Sequence, residues 1–256
     1  MPSAGGLAAQ PAPADEAGLR RVRAQYYGMI SDVDEQVGRL RAGLEELRVW
    51  DDTVVVVTSD HGEQLGDQGT LGKGGCFEAS YRVLGIVADP RQRGGRGRVV
   101  DAFTENVDVM PTLCEAMGLE VPAACDGMPL TPFLAGEEPP WWRDAAHWEY
   151  DWRAERIPFG PHPWPWDRRL ERQNLAVVRS SSAAYVQYGN GEWRCFDLGA
   201  DPSWRTETTD PAAVLPPAQS MLSWRATHAE RQFTDMVLVD GGVGRVPAGL
   251  SPGPTR

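Results

Sequence analysis

The chain is poor in several features that define common protein classes. None of its apolar runs approaches the length of a membrane span, and the N-terminus lacks a basic-then-apolar signal pattern. No membrane partner and a cytoplasmic location are therefore expected. Its four cysteines (Cys76, Cys114, Cys125, Cys195) fall at irregular spacings without a CxxC pair, which points away from zinc and dithiol chemistry and toward free buried thiols. Basic residues are outnumbered, 25 against 36 acidic, for a net charge of −11, and no basic patch is sustained. That excludes an ordinary nucleic-acid surface. It does not exclude a small anionic substrate, because one cation and one lysine reverse the local field. No internal repeat is visible. With 256 residues, 41% apolar and 24% charged, the balance is globular.

The most informative stretch is Thr53 to Pro90, TVVVVTSDHGEQLGDQGTLGKGGCFEASYRVLGIVADP. It opens with an uninterrupted β-branched run, Thr53 to Thr58, of the kind buried on both faces in a parallel sheet. The run stops at Ser59-Asp60-His61-Gly62. Open parallel sheets bind ligands at the carboxyl ends of their strands, so Asp60 and His61 stand where a site is expected. An oxygen and an imidazole side by side suit a divalent cation. The alternative is an Asp-His turn that merely caps the following loop. Lys73 follows inside Leu71-Gly72-Lys73-Gly74-Gly75, within a loop carrying six glycines between His61 and Tyr81. Such a loop lets backbone approach a ligand closely. A second apolar strand, Val83 to Ala88, ends at Asp89-Pro90.

TSDHGE followed by LGKGG and a strand ending in DP resembles the sulfatases of the alkaline phosphatase superfamily, in particular the arylsulfatase and phosphonate monoester hydrolase branch. Three further segments are similar to that family: Asn106 to Gly118 (NVDVMPTLCEAMG), Asp126 to Leu130 (DGMPL), and Cys195-Phe196-Asp197-Leu198 with Asp201-Pro202. The resemblance implies an α/β, alkaline-phosphatase-like sandwich with a mostly parallel sheet, plus a small C-terminal antiparallel subdomain. It implies a hydrolase of sulfate esters or of phosphonate and phosphate esters. Asp60 and His61 would be metal ligands for calcium, magnesium or manganese, with imidazole tilting the choice toward manganese. Lys73 would be catalytic, holding an oxygen of the transferred group or steadying the leaving oxygen, where a fixed charge lowers the barrier. An ordinary exposed lysine in a glycine loop is the competing state. Glu63 and Asp67 are expected to face solvent or to support the ligands from behind, and Glu78 and Tyr81 to lie near the site. His147, His162 and His228 have no motif partners and are expected as satisfied or surface histidines.

Four regions follow. Residues 1–14 are Pro, Ala and Gly without apolar period, a disordered leader. Residues 15–140 form the C-terminal part of a catalytic α/β domain. They begin with a long helix whose stripe of Leu19, Val22, Tyr26, Ile30, Val33, Val37, Leu40, Leu44 and Leu47 should pack beside the first strand. Asp32, Asp34, Glu35, Arg39, Arg41 and Glu45 fall off the stripe, on a solvated face. Residues 141–240 hold a Pro/Trp-rich surface loop and a small α+β unit. Its short strands are Leu175–Val178, Tyr185–Tyr188 and Glu192–Phe196, with a Gly189-Asn190-Gly191 turn, and a helix follows from Pro217 to Thr234. Residues 241–256 read as a flexible tail.

The family's nucleophile motif, C/S-x-P-x-R, is absent: Cys76 precedes FEASY, Cys114 EAMGL, Cys125 DGMPL and Cys195 FDLGA. The acidic metal ligands that the family places near its N-terminus are absent too. The resemblance runs from about Gly18 to Val239 but matches only the C-terminal half of a family member, as a truncated or split gene product would. The chain alone is expected to be inactive, its Val54–Val57 edge an aggregation hazard. A missing N-terminal half, or a homo-oligomer, is the expected protein partner. Two competing functions remain at this stage. One is a non-catalytic remnant or binding subunit of a split sulfatase; the other is a phosphodiesterase with a Thr or Ser nucleophile.

Overall fold

The computed structural model describes residues 10–92, 94–122, 124–150 and 174–228, with the backbone of strands 236–239 and 242–245. Residues 1–9 of the expected leader, His162, and Trp164 and Trp166 of the Trp-rich segment lie outside the described residues.

Strand β1 (Gln10–Pro11) opens the described chain and pairs antiparallel with β3 (Thr70–Leu71), so the end of the expected leader is held in structure. Asp15 caps helix α1 (Glu16–Glu46) by accepting a 2.7 Å hydrogen bond from the Gly18 N–H. Satisfying one of the free N–H groups of the first turn in this way fixes where the helix starts. Strand β2 (Val55–Thr58) pairs with β4 (Gly85–Ala88), and between them lie β3 and the single turn α2 (Glu78–Tyr81).

Two expectations are corrected here. The β2–β4 pair is antiparallel, with Val55 opposite Ala88 and Thr58 opposite Gly85, and not parallel. A run of β-branched residues reports that a strand forms, not the direction of its neighbour. The antiparallel pairing has a functional consequence: the chain leaves β2 at Thr58 and re-enters at Gly85 beside it. The 59–84 excursion therefore begins and ends at the same end of the pair. Second, Val55, Val56 and Val57 are only half-buried, and α1 has no buried residue at all. The stripe expected to pack beside the strand is half-covered at Leu19, Val22, Tyr26 and Leu44 but open to solvent from Ile30 to Leu40.

Helix α3 (Val109–Ala116) follows a 3-10 turn over Asn106–Asp108, with Pro111 in its first turn and Gly118 left-handed (φ 69°) just beyond its end. Both positions follow the ordinary preferences of helix ends. After the short helix α4 (Thr131–Ala135) come four strands in meander order, β5 (Ala145–Tyr150), β6 (Leu175–Ser180), β7 (Ala183–Tyr188) and β8 (Trp193–Asp197), all antiparallel. Sequence pattern missed β5, because its Pro- and Trp-rich flank reads as loop. Helix α5 (Pro211–His228) begins six residues before the expected start and admits Pro216 and Pro217. Beyond it, β9 (Met236–Val239) and β10 (Gly242–Arg245) form a hairpin, the latter inside the expected tail.

The sheet separates two cores. On one face Leu175, Val177, Ala184, Val186 and Phe196 pack with Trp204, and Cys76 and Phe77 insert among them from the glycine loop. On the other, Ala176, Val178, Tyr185 and Cys195 pack with Met221 of α5. The period-two alternation of β6 and β7 assigns successive residues to the two cores. Cys76, Cys114 and Cys195 are free and buried, and Cys125 is half-buried.

Candidate functional site

The site starts at the end of β2. Thr58 Oγ1 donates to the Leu84 carbonyl (3.0 Å), tying the two ends of the excursion together. The backbone then turns through Ser59, whose hydroxyl donates to the His61 carbonyl at 2.8 Å. Asp60 Oδ1 accepts from the His61 N–H at 2.9 Å. His61 Nδ1 lies 2.8 Å from the Gly62 carbonyl. A carbonyl only accepts, so this contact is a hydrogen bond in a ring form that carries a proton on Nδ1. That Nε2 is 3.5 Å from Asp60 Oδ2, with the Asp60 side chain 83% and the His61 side chain 35% exposed. Two atoms that close are spaced to share one divalent cation. Among the described residues no group of three or more His, Cys, Asp or Glu side chains could hold a metal ion.

Partial withdrawal from water pushes the Asp60 carboxyl up. The His61 N–H, the His61 ring and the charge of Lys73 outweigh that push and hold the group below its ordinary value. Lys73 is also the only lysine in the chain; every other cationic side chain except histidine is arginine.

What places Lys73 is a buried knot around Gln64, fully enclosed. The Gln64 N–H donates to the Gly72 carbonyl (2.9 Å), and its side-chain amide donates to the Gly74 carbonyl and to Ser80 Oγ (2.7 Å). Thr70 Oγ1 donates to Gln64 Oε1 at 2.5 Å, and Glu63 accepts from the Gly72 N–H. Residues on both sides of Lys73 are therefore pinned. Its C-terminal neighbours Cys76 and Phe77 are locked into the sheet core. Gly62 is required by space: a Cβ there would stand 2.1 Å from the Ala79 carbonyl oxygen. From the other side α1 braces the loop, with Arg23 Nε donating to the Leu65 carbonyl at 2.8 Å.

The structure sets Asp60 beside His61 just beyond β2, holds Lys73 in the loop that follows, and leaves other expected neighbours elsewhere. Asp67 lies 4.0 Å from Arg23. Glu78 pairs with Arg82 (2.9 Å) and Arg179 (3.4 Å), and Tyr81 donates to the Gly75 carbonyl (2.9 Å) while stacking on Trp148. Those contacts anchor α2 to the sheet. His147 is not the surface or satisfied histidine expected. Its Nδ1 is 3.5 Å from Glu105, its ring stacks on Trp224, and its Nε2 is buried without a partner. His228 stacks on the same Trp224. Cys76 is no nucleophile, because burial pushes its thiol up to about 11.

Sequence reasoning missed Asn106. Its Nδ2 donates to the Ser59 carbonyl (2.8 Å) and its Oδ1 accepts from Thr58 Oγ1 (3.0 Å), clamping the turn that carries Asp60. A separation of 47 residues left no local signal for it.

Comparison with known proteins identifies the family. The sulfatase family profile matches residues 7–119. The multifunctional alkaline phosphatase superfamily protein PehA of Trinickia caryophylli is 40% identical over 226 residues, 86% of this chain and 43% of that protein. The arylsulfatase of Clostridium perfringens is 32% identical over 72% of this chain and 35% of its own length. Among solved structures, the phosphonate monoester hydrolase of Agrobacterium radiobacter superposes with a TM-score of 0.76 at 39% identity, over 90% of this chain and 46% of that one. These likenesses define the class, the alkaline phosphatase superfamily. Within that class the chain belongs to the sulfatase family. It spans less than half the length of these relatives.

Proposed function

We propose that the chain is part of a metal-dependent hydrolase of sulfate esters or phosphonate and phosphate monoesters, and that it contributes a half-site of two metal ligands and one cation. Asp60 Oδ2 and His61 Nε2 hold the cation. Lys73 binds an oxygen of the sulfuryl or phosphoryl group. The nucleophile comes from polypeptide outside the described residues. A divalent cation there supplies Lewis-acid polarisation of the ester's oxygens. The Gly62 carbonyl then accepts from a protonated His61 Nδ1. The Gln64 knot fixes the Lys73 backbone, so a positive charge is aimed before the substrate arrives, which is where such charges are most effective.

The observation that carries this function is the juxtaposition of His61 Nε2 with Asp60 Oδ2, 3.5 Å apart at the end of β2, with the chain's only lysine in the loop that follows. That lysine also provides the test. Reductive ¹³C-methylation labels Lys73 and the terminal amine and no other group. Manganese should broaden the Lys73 resonance selectively, phenylphosphonate should shift it, and Asp60→Ala should abolish the broadening. Equal broadening in Asp60→Ala, or none with millimolar manganese, would remove the metal assignment.

A further inference from the structure

A series of aromatic rings joins the Lys73 loop to the C-terminal sheet. Tyr81 stacks on Trp148 of β5, with ring centroids 5.2 Å apart and planes at 20°. Trp148 stacks on Trp204 (6.3 Å, 26°), and Trp204 meets Phe77 edge-on (6.4 Å, 66°). Phe77 and Tyr81 lie four residues apart in the segment after Lys73, so both ends of the series are attached to that segment. Packing, not hydrogen bonding, orients the two indoles, because Trp148 Nε1 and Trp204 Nε1 are both buried without a hydrogen-bond partner. Burying two donors unpaired is unfavourable, so the rings keep this arrangement at a cost.

The Tyr81 hydroxyl is where the series reaches the loop backbone, donating to the Gly75 carbonyl at 2.9 Å. Burial, with Tyr150, Cys76 and Tyr188 close by, pushes that hydroxyl above its ordinary range, so it stays protonated and remains a donor. Lys73 itself is half-buried. Glu63 and Gln64 hold the Gly72 peptide, and Gln64 holds the Gly74 carbonyl. Gly75 has a left-handed backbone (φ 89°) at the point where the chain passes from Lys73 to the buried Cys76. A glycine peptide rotates freely unless something holds it, and Tyr81 is the side chain that holds this one. We propose that Tyr81 is a positioning residue for Lys73, fixing through the Gly75 carbonyl the direction in which the lysine leaves the loop, with Trp148 keeping the Tyr81 ring in place. The inference rests on the role proposed above for Lys73, since a cation aimed in advance stabilises developing charge better than one that must reorient.

The reductively ¹³C-methylated chain reads this link directly, because Lys73 is its only lysine. Tyr81→Phe removes the hydroxyl and keeps the ring on Trp148. The Lys73 resonance should then shift by more than its linewidth without metal or ligand, and affinity for phenylphosphonate should fall about threefold to tenfold. Trp148→Leu should shift the resonance in the same sense. Adding Tyr81→Phe to it should change little more, as for two side chains acting in series. Tyr185→Phe is the control. Its hydroxyl donates to Gln187 (2.6 Å) on the other face of the sheet, so its loss should lower stability comparably and leave the Lys73 resonance in place. Circular dichroism checks that each variant folds, and Trp148→Phe replaces Trp148→Leu if that one does not. The inference is overturned if Tyr81→Phe leaves the resonance unmoved, or if Tyr185→Phe moves it equally. A wild-type resonance that ignores phenylphosphonate would instead remove the substrate-binding role of Lys73, while the ligand-free shift still decides whether Tyr81 positions it.

Discussion

Asn106 donates a 2.8 Å hydrogen bond to the carbonyl of Ser59, the residue immediately before the Asp60–His61 pair. The same side chain accepts from Thr58, so the carboxyl end of β2 is stapled to the turn that begins α3. Removing both bonds in Asn106→Ala should cost about 0.5–1.5 kcal/mol in thermal or urea unfolding. Freeing the turn should also weaken manganese binding by about tenfold, as loss of a supporting partner commonly does. A drop in stability with unchanged manganese affinity would make Asn106 purely structural.

Gly62 is the second constraint on the pair. Gly62→Ala drives a methyl group into the Ala79 carbonyl, and backbone, unlike a flexible side-chain tip, cannot move aside cheaply. The expected penalty is about 1–3 kcal/mol, measured by denaturant unfolding. The Lys73 resonance should also move, since Gly62 and Ser80 are joined by a 2.8 Å backbone bond within the knot that positions the lysine.

Much of this site was legible because it is local in sequence. A β-branched run, its abrupt polar end and a glycine loop with one lysine all lie within forty residues, and the structure sets Asp60 and His61 side by side just beyond β2. What sequence could not reveal depends on distance or on coverage. Asn106 and Gln64 act through bonds to residues that no spacing rule connects. The period of α1 identifies which face is apolar and is silent on whether that face is covered. The alternation of β6 and β7 announced a sheet, whereas β5, Ala-Ala-His-Trp-Glu-Tyr, was hidden by its proline- and tryptophan-rich surroundings.

Arg143 and Asp108 set the junction between α3 and β5. Asp108 is fully buried and receives both guanidinium nitrogens of Arg143, together with the N–H groups of Glu105 and Met128 (2.8 Å each). Arg143→Met leaves that carboxylate buried without its counter-charge. The expected loss is about 3–5 kcal/mol, measured by chemical denaturation. Arg143→Met combined with Asp108→Asn should recover part of it.

The Glu105–His147 contact predicts a pH dependence. Burial pushes the Glu105 carboxyl up; the His147 side chain, the Arg143 charge and the His147 N–H more than compensate and hold it below its ordinary value. A carboxyl depressed in the folded state stabilises the fold above its unfolded pKa, about 4.3, and that contribution is lost as pH falls through the folded value. Unfolding midpoints of the wild type should therefore fall more steeply below about pH 4.3 than those of Glu105→Gln. Parallel acid limbs would show that Glu105 does not carry this linkage.

The most direct measurement of the central claim is hydrolysis of aryl sulfate, aryl phosphate and phenylphosphonate esters by this chain joined to the part of the sulfatase domain it does not match. It is run with and without manganese, beside the 256-residue chain alone. The account predicts metal-dependent turnover in the joined form, abolished by Asp60→Ala and His61→Ala and strongly reduced by Lys73→Met. The chain alone should be silent. Turnover that survives Asp60→Ala, or that proceeds undiminished after metal removal, would contradict it.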